Sequence, residues 1–378
     1  MHPTTSLDLS GERFAIVYRL AGGEAEAAAK ARDICLEQTV EFPEALVPDG
    51  AIREQILGRI ESMQALDAIH YEARISYAVE TSGFELLQLL NVIFGNTSLK
   101  PGVRVERLEL SPGILRAFKG PRFGRVGLRA RLDVPERPLL CTALKPMGLS
   151  VDALADLAYQ FALGGIDIVK DDHGLADQPF APYRERVQRC AEAVERANRQ
   201  TGRRCIYMPN ITAPVDVIVE QARFARAAGA GGMLIAPGLA GLDTMRQLAD
   251  DDHLDLPIMS HPALQGSFVT SPDSGIAHYA LFGQIARLAG ADASIYPNYG
   301  GRFSFSPAEC HSIVEGTAVP MGSIKPIFPT PGGGMSLARV AEMRQIYGDD
   351  VIFLIGGGLH THGPDLVENC RYFRSLVE

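Results

Sequence analysis

Residues 164–173 read Gly-Gly-Ile-Asp-Ile-Val-Lys-Asp-Asp-His and combine an apolar strand with a dense group of ionisable side chains. The apolar positions predict a buried strand, which ends in four ionisable residues: Lys170, Asp171, Asp172 and His173. Such groups at the tip of an apolar strand cost free energy unless they pair with each other or bind something. A salt-bridged strand end is one interpretation of this segment, and a metal site is the other.

The segment belongs to a regular alternation of strand-like runs and amphipathic helical stretches over residues 138–378. The runs are 138–144, 166–170, 204–210, 232–238, 256–261, 293–298, 323–328 and 351–356. Eight strands that alternate with eight helices are typical of a (β/α)8 (TIM) barrel. A doubly wound open sheet is the alternative. The near-equal length of the eight units favours the closed barrel.

The N-terminal part of the chain has a different pattern. Strand-like runs at 14–21 and 74–80 accompany helical stretches at 24–38 and 82–95. This pattern predicts a small α+β domain of the ferredoxin-like type at 1–117. A connector rich in Pro, Arg and Gly would follow at 118–137, and the barrel domain would occupy 138–378.

Composition excludes several classes of partner. The net charge of −9 argues against a surface for nucleic acid or anionic membranes. Six cysteines without CxxC or zinc-type spacing are typical of reduced thiols in a cytosol. The first 25 residues lack a secretion-signal pattern, and no run of 18 apolar residues occurs. We therefore expect a cytoplasmic protein.

The predicted barrel strands end in chemically useful residues. These are Lys145, Lys170, Asp172, His173, Asn210, His261, Tyr296 and Asn298. Any one of them could be structural, and a lone histidine such as His261 is more often a core residue than a catalytic one. Barrel enzymes, however, place their chemistry at the C-terminal ends of the strands. The shared position predicts a catalytic site at the barrel mouth, with Asn210 among the candidate substrate contacts.

Two glycine triplets, 332–334 and 356–358, follow the seventh and eighth predicted strands. Glycine lets backbone N–H groups approach an anion closely, and barrels commonly bind phosphate at these two loops. A single glycine triplet would more often indicate a tight turn. Two triplets in these positions predict a phosphate site and a phosphorylated substrate. Arg302 could be a second anion contact or a solvated loop arginine.

The charged strand end also suggests a metal site. Residues i and i+2 of a strand share a face, so Lys170 and Asp172 should point inward and Asp171 outward. A lysine amine with a lowered pKa can add CO2 and become a carbamate, which is an oxygen donor. The carbamate and Asp172 would then hold Mg²⁺ through oxygen atoms.

Six motifs carry a family resemblance: GGIDIVKDDHGLADQPFAPYRERVQRCAEA (164–193), CTALKPMGLS (141–150), FGNTS (94–98), LSPGILRAFKGPRFG (110–124), PGGGM (331–335) and IGGGL (355–359). The chain resembles the large subunit of ribulose-bisphosphate carboxylase (RuBisCO), and more closely the RuBisCO-like proteins of form IV. The resemblance covers roughly residues 14–378. It implies an α+β domain, a (β/α)8 barrel, and an obligate head-to-tail homodimer with shared active sites.

The resemblance also implies roles for individual residues. Lys170 matches the carbamylated lysine, Asp172 a metal ligand, His173 the third ligand position, and Lys145 the acid/base lysine. Further matches are the strand-five histidine His261, the phosphate-binding glycines Gly333, Gly334, Gly356, Gly357 and Gly358, and the partner-domain residues Asn96 and Glu37. Arg302 lies near the position of the family's mobile loop-six lysine. The implied cofactor is Mg²⁺ with CO2 as the Lys170 carbamate.

The departures from the carboxylase pattern bear on the reaction. Carboxylases have glutamate where this chain has His173. Other carboxylase side chains are replaced at Met147, Pro262, Gln265, Tyr296 and Gly332, and the tail that latches loop six is missing. The loss of one phosphate contact argues for a substrate with one phosphate. The loss of the loop-six lysine and its latch argues against carboxylation.

These features predict metal-dependent enolisation of a phosphorylated keto-sugar without net carboxylation. The best-fitting family activity is isomerisation of 5-methylthioribulose 1-phosphate in methionine salvage. Decarboxylation of 3-oxo-isoapionate 4-phosphate in apiose breakdown is the alternative. Two remoter alternatives are a true carboxylase and a non-catalytic sugar-phosphate binding protein, although retention of the lysines and Asp172 argues against the latter.

Overall fold

The computed structural model describes residues 7–301, 303 and 305–378. The chain forms two compact units. The first contains the residues up to Lys119 together with Gln265–Ile285 and Pro320–Ile324, and the second contains the remainder. The sequence did not indicate that Gln265–Ile285 and Pro320–Ile324 belong to the first unit. The boundaries at 117 and 138 stay a prediction.

Strands and helices are numbered here in chain order. The strands of the first unit are β1 (Arg13–Ala21), β2 (Arg59–Ala65), β3 (His70–Ala78), β4 (Val103–Glu109) and β10 (Gly275–Ile276). They form one sheet in the order β10-β4-β1-β3-β2, with β10 parallel to β4 and the other pairs antiparallel.

The strands of the second unit are β5 (Leu139–Leu144), β6 (Ile168–Asp171), β7 (Ile206–Met208), β8 (Met233–Ile235), β9 (Ile258–Ser260), β11 (Ala293–Pro297), β12 (Phe328–Gly332) and β13 (Ile352–Leu354). All paired neighbours run parallel, in the ladders β13-β5-β6-β7 and β8-β9-β11-β12. A parallel bridge between Asn210 and Leu234 joins β7 to β8. Because β12 lies beside β13, the ring closes, and the predicted (β/α)8 barrel is confirmed.

The α-helices of the described residues are α1 (Glu24–Glu37), α2 (Leu86–Phe94), α3 (Pro112–Leu115), α4 (Gly124–Leu132), α5 (Val151–Leu163), α6 (Tyr183–Thr201), α7 (Val215–Ala227), α8 (Pro237–Ala240), α9 (Leu242–Asp250), α10 (Gly266–Val269), α11 (Ala286–Leu288), α12 (Pro307–Ala318), α13 (Val340–Tyr347), α14 (Gly357–His360) and α15 (Leu366–Ser375). Within this part of the chain, no helix has the length and apolar character needed to cross a membrane.

The local patterns located most elements, and the misses have physical reasons. The predicted strand at 14–21 and the helices at 24–38 and 82–95 correspond to β1, α1 and α2. The sequence of β2, Arg-Ile-Glu-Ser-Met-Gln-Ala, gave no signal, because this edge strand is largely exposed on both faces and lacks an apolar alternation.

The seventh barrel strand was predicted at 323–328, and this position is wrong. The strand is β12, Phe328–Gly332, and it contains Pro329 and Pro331. Prolines argue against a central strand because they lack an N–H group. They are accommodated here because they lie two residues apart, so the missing donors fall on one side of the strand.

The barrel interior is filled by side chains from alternate strand positions. They pack over apolar residues of α4 and its C-terminal loop; the cluster comprises Leu128, Leu132, Val134, Leu139, Cys141, Ile168, Ile206, Met208, Leu234, Met259, Ala293, Ile295, Phe328 and Ile352. The same alternation continues toward the C-terminal ends of the strands. It carries Lys170, two residues beyond Ile168, and His261, two residues beyond Met259, onto the inner face.

In the first unit, a histidine is held between two carboxylates. Nδ1 of His70 lies 2.8 Å from Oδ2 of Asp67, and Nε2 lies 3.1 Å from Oδ1 of Asp273. The ring donates to both carboxylates, and these hydrogen bonds, first that to Asp67 and then that to Asp273, raise the pKa of His70 above its usual value, against the smaller effects of burial and of Arg19. Through these contacts, His70 ties the segment that contains Asp273 to the loop between β2 and β3.

We predict that His70→Gln destabilises the protein more at about pH 5.5 than at about pH 8.5. Because the folded-state pKa is raised, the ion pairs contribute fully below the unfolded pKa and are lost as the pH rises through the folded pKa. Thermal melts of both proteins at the two pH values measure the difference. An equal loss at both values would contradict an ionic role for His70.

Candidate active site

Lys170 lies at the C-terminal end of β6 and is almost completely buried. Its Nζ donates a hydrogen bond to the backbone oxygen of Asp171 at 3.1 Å. Burial lowers the pKa of Lys170, while the negative charge of Asp172 opposes the shift and the positive charge of Lys145 adds to it. The structure therefore favours the neutral amine at this position more than water does.

Asp172 is the centre of the charged group at the barrel mouth. Its Oδ1 lies 2.8 Å from Nζ of Lys145 and 3.3 Å from Nδ1 of His173. Burial by itself would raise the pKa of Asp172, but the hydrogen bonds from His173 and Lys145 outweigh it and hold the pKa below 3.8. Asp172 is therefore a carboxylate at neutral pH. The structure brings together Lys145, Lys170, Asp172 and His173, as the sequence predicted.

His261 completes this side of the mouth. Its ring stacks on that of His173, with the ring centres 4.5 Å apart and the planes at 8°. Burial, and next the positive charge of Lys170, lowers the pKa of His261 to about 2. Nδ1 accepts a hydrogen bond from the backbone N–H of Ala263 at 3.2 Å. The neutral ring therefore carries its proton on Nε2, where it can act as a donor.

Asp171 points outward, opposite to Lys170, as the strand period predicts. Its carboxylate accepts hydrogen bonds from Nε of Arg186 at 3.2 Å, the hydroxyl of Tyr207 at 2.7 Å, and the backbone N–H of Asn210 at 3.0 Å. Both Asp171 and Arg186 are fully buried. Arg186 was not among the residues predicted from the sequence. A usable signal was its place on the apolar stripe of α6, one turn from Tyr183 and Cys190.

Asn210 shapes the loop that carries His173. Its Nδ2 donates to the backbone oxygens of His173 at 3.0 Å and Leu175 at 2.9 Å, while its Oδ1 accepts from the backbone N–H of Thr212 at 3.1 Å. Its amide is thus committed to the protein's own backbone. These contacts indicate a positioning role, and direct contact with a substrate stays a prediction.

The two glycine loops lie against each other. Gly333 and Gly334 have φ values of 73° and 101°. Residues with a side chain rarely adopt such backbone conformations. A Cβ on Gly358 would lie 3.0 Å from the backbone oxygen of Met335, and one on Gly356 would lie 3.8 Å from Cε of Lys145. Of the predicted phosphate-binding glycines, Gly356 therefore lies beside Lys145, Gly358 lies beside the segment that follows Gly334, and the Cβ position of Gly357 faces open space. Arg302 lies outside the described residues.

Tyr296 and Asn298 were expected at the barrel mouth, but they do not face it. Alternate residues of β11, Ala293 and Ile295, point inward, so Tyr296 and Asn298 point toward the surrounding helices. Both are almost completely buried. The sequence showed that these polar residues end a strand, but the face they occupy depended on the register of β11.

A cleft of about 460 Å³ opens beside the ion pair. It is lined by Lys145, Pro146, Leu149, Ala153, Asp156, Leu157 and His360. Apart from Lys145, Asp156 and His360, the wall of the cleft is apolar.

In the first unit, Glu37 and Asn96 form a pair of their own. Nδ2 of Asn96 donates to Oε1 of Glu37 at 2.9 Å. The neighbouring residue Gln38 fixes the local backbone, because it donates to Asn91 and Val92 and accepts from the N–H of Thr97. The sequence named Glu37 and Asn96 separately, 59 residues apart, and the fold brings them into contact.

Among the described residues, no group of three or more His, Cys, Asp or Glu side chains could hold a metal ion. In the part of the chain that the structure describes, Asp172 and His173 are the candidate donors at the mouth, whereas His261 stacks on His173 and does not complete a three-residue group with them. A third donor would have to come from a residue of another kind, and Lys170 is the buried candidate beside them.

The chain was compared with known proteins. Residues 124–299 match the family described as ribulose bisphosphate carboxylase large chain, catalytic domain. The chain is 38% identical over 371 residues to ribulose bisphosphate carboxylase-like protein 1 of Rhodopseudomonas palustris, covering 98% of this chain and 99% of that one. It is 41% identical over 367 residues to the 5-methylthioribulose-1-phosphate isomerase of Rhodospirillum rubrum, covering 97% and 96%. It is 32% identical over 313 residues to the 2,3-diketo-5-methylthiopentyl-1-phosphate enolase of Bacillus pumilus, covering 82% and 76%.

A crystal structure of the RuBisCO-like protein from Rhodopseudomonas palustris superposes with a TM-score of 0.87 at 37% identity, covering 97% of each chain. The chain therefore belongs to the RuBisCO large-chain family and, within it, to the RuBisCO-like proteins.

We predict that Arg186→Met destabilises the protein by about 3–5 kcal/mol, because it leaves Asp171 buried without its cation. The free energy of unfolding, measured in denaturant, tests this. Arg189→Met on the same helix is the matched control. Its partner Asp152 and Arg189 itself are exposed, so a loss below about 1 kcal/mol is expected. Equal losses in the two variants would rule out a special role for the buried pair.

Proposed function

We propose that this chain is a metal-dependent enolising enzyme that isomerises 5-methylthioribulose 1-phosphate without net carboxylation. The observation that carries the proposal is the buried Lys170 beside the Lys145–Asp172 ion pair at the barrel mouth. The substrate follows from the 41% identity, over nearly the whole length, to the isomerase of Rhodospirillum rubrum. That relative and the enolases at 32% identity are both named for a five-carbon, methylthio-bearing phosphate ester.

The proposed metal site uses Lys170 as its third donor. An ammonium group cannot ligate a cation, but a neutral amine can add CO2 to form a carbamate. The lowered pKa of Lys170, caused first by burial, supports this reaction. The carbamate, Asp172 and His173 would then hold Mg²⁺. Oδ1 of Asp172 already accepts from Lys145 and His173, so its other oxygen would be the one available to the cation.

The residues of the mouth have distinct roles in this proposal. When bound, the cation would supply Lewis-acid polarisation of a ketone and its neighbouring hydroxyl. Lys145 is our candidate for proton transfer, since its Nζ lies next to the ligand set. The neutral His261 would donate from Nε2 to a substrate oxygen. The loops at 332–334 and 356–358 would bind the phosphate through backbone N–H groups.

The apolar end of the substrate would lie next to Met147 in this proposal. The methyl group of Met147 packs over Gly174, where an added Cβ would approach it to 2.5 Å. Gly174 lies two residues beyond Asp172, so Met147 places a thioether close to the proposed ligand set. A methylthio group is better suited to such a neighbour than a second phosphate.

We also propose a homodimer in which Glu37 and Asn96 reach the active site of the second copy. Their mutual hydrogen bond and the support from Gln38 would present them as one rigid unit. The cytosolic location stays a prediction, which the six buried, free cysteines support.

The reaction can be tested directly with 5-methylthioribulose 1-phosphate, Mg²⁺ and CO2 in D2O. We expect exchange of the proton α to the ketone and formation of a new ketose phosphate, both visible by ¹H and ³¹P NMR. Absence of both changes would refute the proposed activity.

Parallel assays separate the alternatives. Turnover of 2,3-diketo-5-methylthiopentyl 1-phosphate instead would favour the enolase reaction for which the Bacillus relatives are named. Release of CO2 from 3-oxo-isoapionate 4-phosphate would favour the decarboxylase.

We predict that Lys170→Ala abolishes turnover while the protein remains folded, because the variant loses the carbamate but also relieves a buried charge. A ¹³C NMR signal from ¹³CO2 should appear in the natural protein and be absent from the variant. Lys30→Ala, which removes a lysine paired with Glu26 in the first unit, should keep both signal and turnover. Full activity of Lys170→Ala would exclude the carbamate role.

A further inference from the structure

Asn298 lies immediately after β11 and is almost completely buried on the outer side of the barrel wall. Its backbone N–H donates to the backbone oxygen of Gly332 at 2.8 Å. This bond continues the pairing between β11 and β12 by one residue. Asn298 therefore holds the residue at which the first glycine loop begins.

The side chain of Asn298 holds the other end of the same loop. Its Nδ2 donates to Sδ of Met335 at 2.9 Å and to Sδ of Met343 at 3.3 Å. Thioether sulfur is a weak acceptor, so an arrangement with two of them relies on a well-oriented amide. Met335 directly follows Gly334, whereas Met343 belongs to α13.

Tyr347, at the end of α13, orients this amide. Its hydroxyl donates to Oδ1 of Asn298 at 2.5 Å. Burial raises the pKa of Tyr347, so the hydroxyl stays protonated and remains a donor at physiological pH. With its oxygen bound to Tyr347, the amide must direct its N–H groups toward the two sulfur atoms.

The loop between these two anchors has little stiffness of its own. Gly333 and Gly334 both have positive φ, and glycine has more accessible backbone conformations than any other residue. An anion site built from backbone N–H groups needs those groups to point the same way before the ligand arrives. The anchors on both sides of the pair meet that need.

We propose that Asn298 is a positioning residue that, together with Tyr347 and Met335, sets the shape of the 332–334 loop and thereby the affinity of the enzyme for the substrate phosphate. This inference rests on the phosphate role of the glycine loops in the proposed function. Asn298 does not itself touch the substrate, because it points away from the mouth and its amide is bound within the protein.

The test compares Tyr347→Phe with Tyr299→Phe. The first change removes the hydroxyl that orients Asn298. The second removes the Tyr299 hydroxyl, which donates to Glu342 of α13 at 3.0 Å. This exposed pair does not include Asn298, Met335 or Met343. For Tyr347→Phe we expect KM and the inhibition constant of inorganic phosphate to rise together by about fivefold, the effect of one hydrogen bond. We expect kcat to stay within about twofold, because the lost interaction affects bound substrate and transition state alike.

A second pair of variants separates loop shape from general packing. Met335→Leu and Met343→Leu each remove one sulfur acceptor of Asn298 and keep the apolar volume. Only Met335 adjoins the 332–334 loop, so only Met335→Leu should weaken phosphate binding. Equal effects from the two methionine variants would overturn the proposal.

Calorimetry with inorganic phosphate distinguishes the failure of this inference from that of the proposed function. If the natural protein binds phosphate and Tyr347→Phe binds it equally well, Asn298 has no positioning role. The same conclusion follows if Tyr347→Phe lowers only the melting temperature. If the natural protein binds no phosphate, the assignment of the glycine loops fails, and this inference fails with it.

Discussion

The buried amine of Lys170 governs how the barrel mouth is built. It sits on the inner face of β6, beyond the apolar layer that fills the barrel, where a permanent charge is costly. Burial lowers its pKa. The negative charge of Asp172 opposes this shift, and the positive charge of Lys145 adds to it. The proposed carbamate would remove the buried positive charge, because it replaces the amine with an anionic group that can bind a metal ion. The Lys145–Asp172 ion pair then places a second amine at the same point.

The outer side of the barrel wall supports the inner side. Asp171 faces away from the mouth and is held by Arg186 and Tyr207, and its bond to the N–H of Asn210 links β6 to β7. Asn210 in turn fixes the backbone of the loop that contains His173. On the far side of the ring, Asn298 holds the 332–334 loop in a comparable way. In both places a buried side chain that faces outward determines the geometry of groups that face inward.

Membership of the RuBisCO-like proteins fits the differences between this mouth and a carboxylase motif. His173 replaces a glutamate, so the proposed cation would keep more of its positive charge. Met147 occupies a region where carboxylases carry a lysine, and it packs over Gly174 beside the charged group. These changes keep the groups that enolisation needs and remove groups that serve a second phosphate or CO2. The proposed reaction therefore uses one part of the family's chemistry, proton removal next to a ketone.

Local sequence patterns were sufficient to predict the barrel, most of its strands and the opposite faces of Lys170 and Asp171, because strand alternation directly determines which side chains share a face. They misplaced the seventh strand. A strand can contain Pro329 and Pro331 only if the neighbour on that side needs no N–H donor from them, and this depends on how the strands pair. They also could not show that Tyr296 and Asn298 face outward, or that Arg186 pairs with Asp171. Those outcomes depend on strand register and on contacts between residues distant in the chain. Such contacts exist only once the ring of strands has closed and the helices have packed around it.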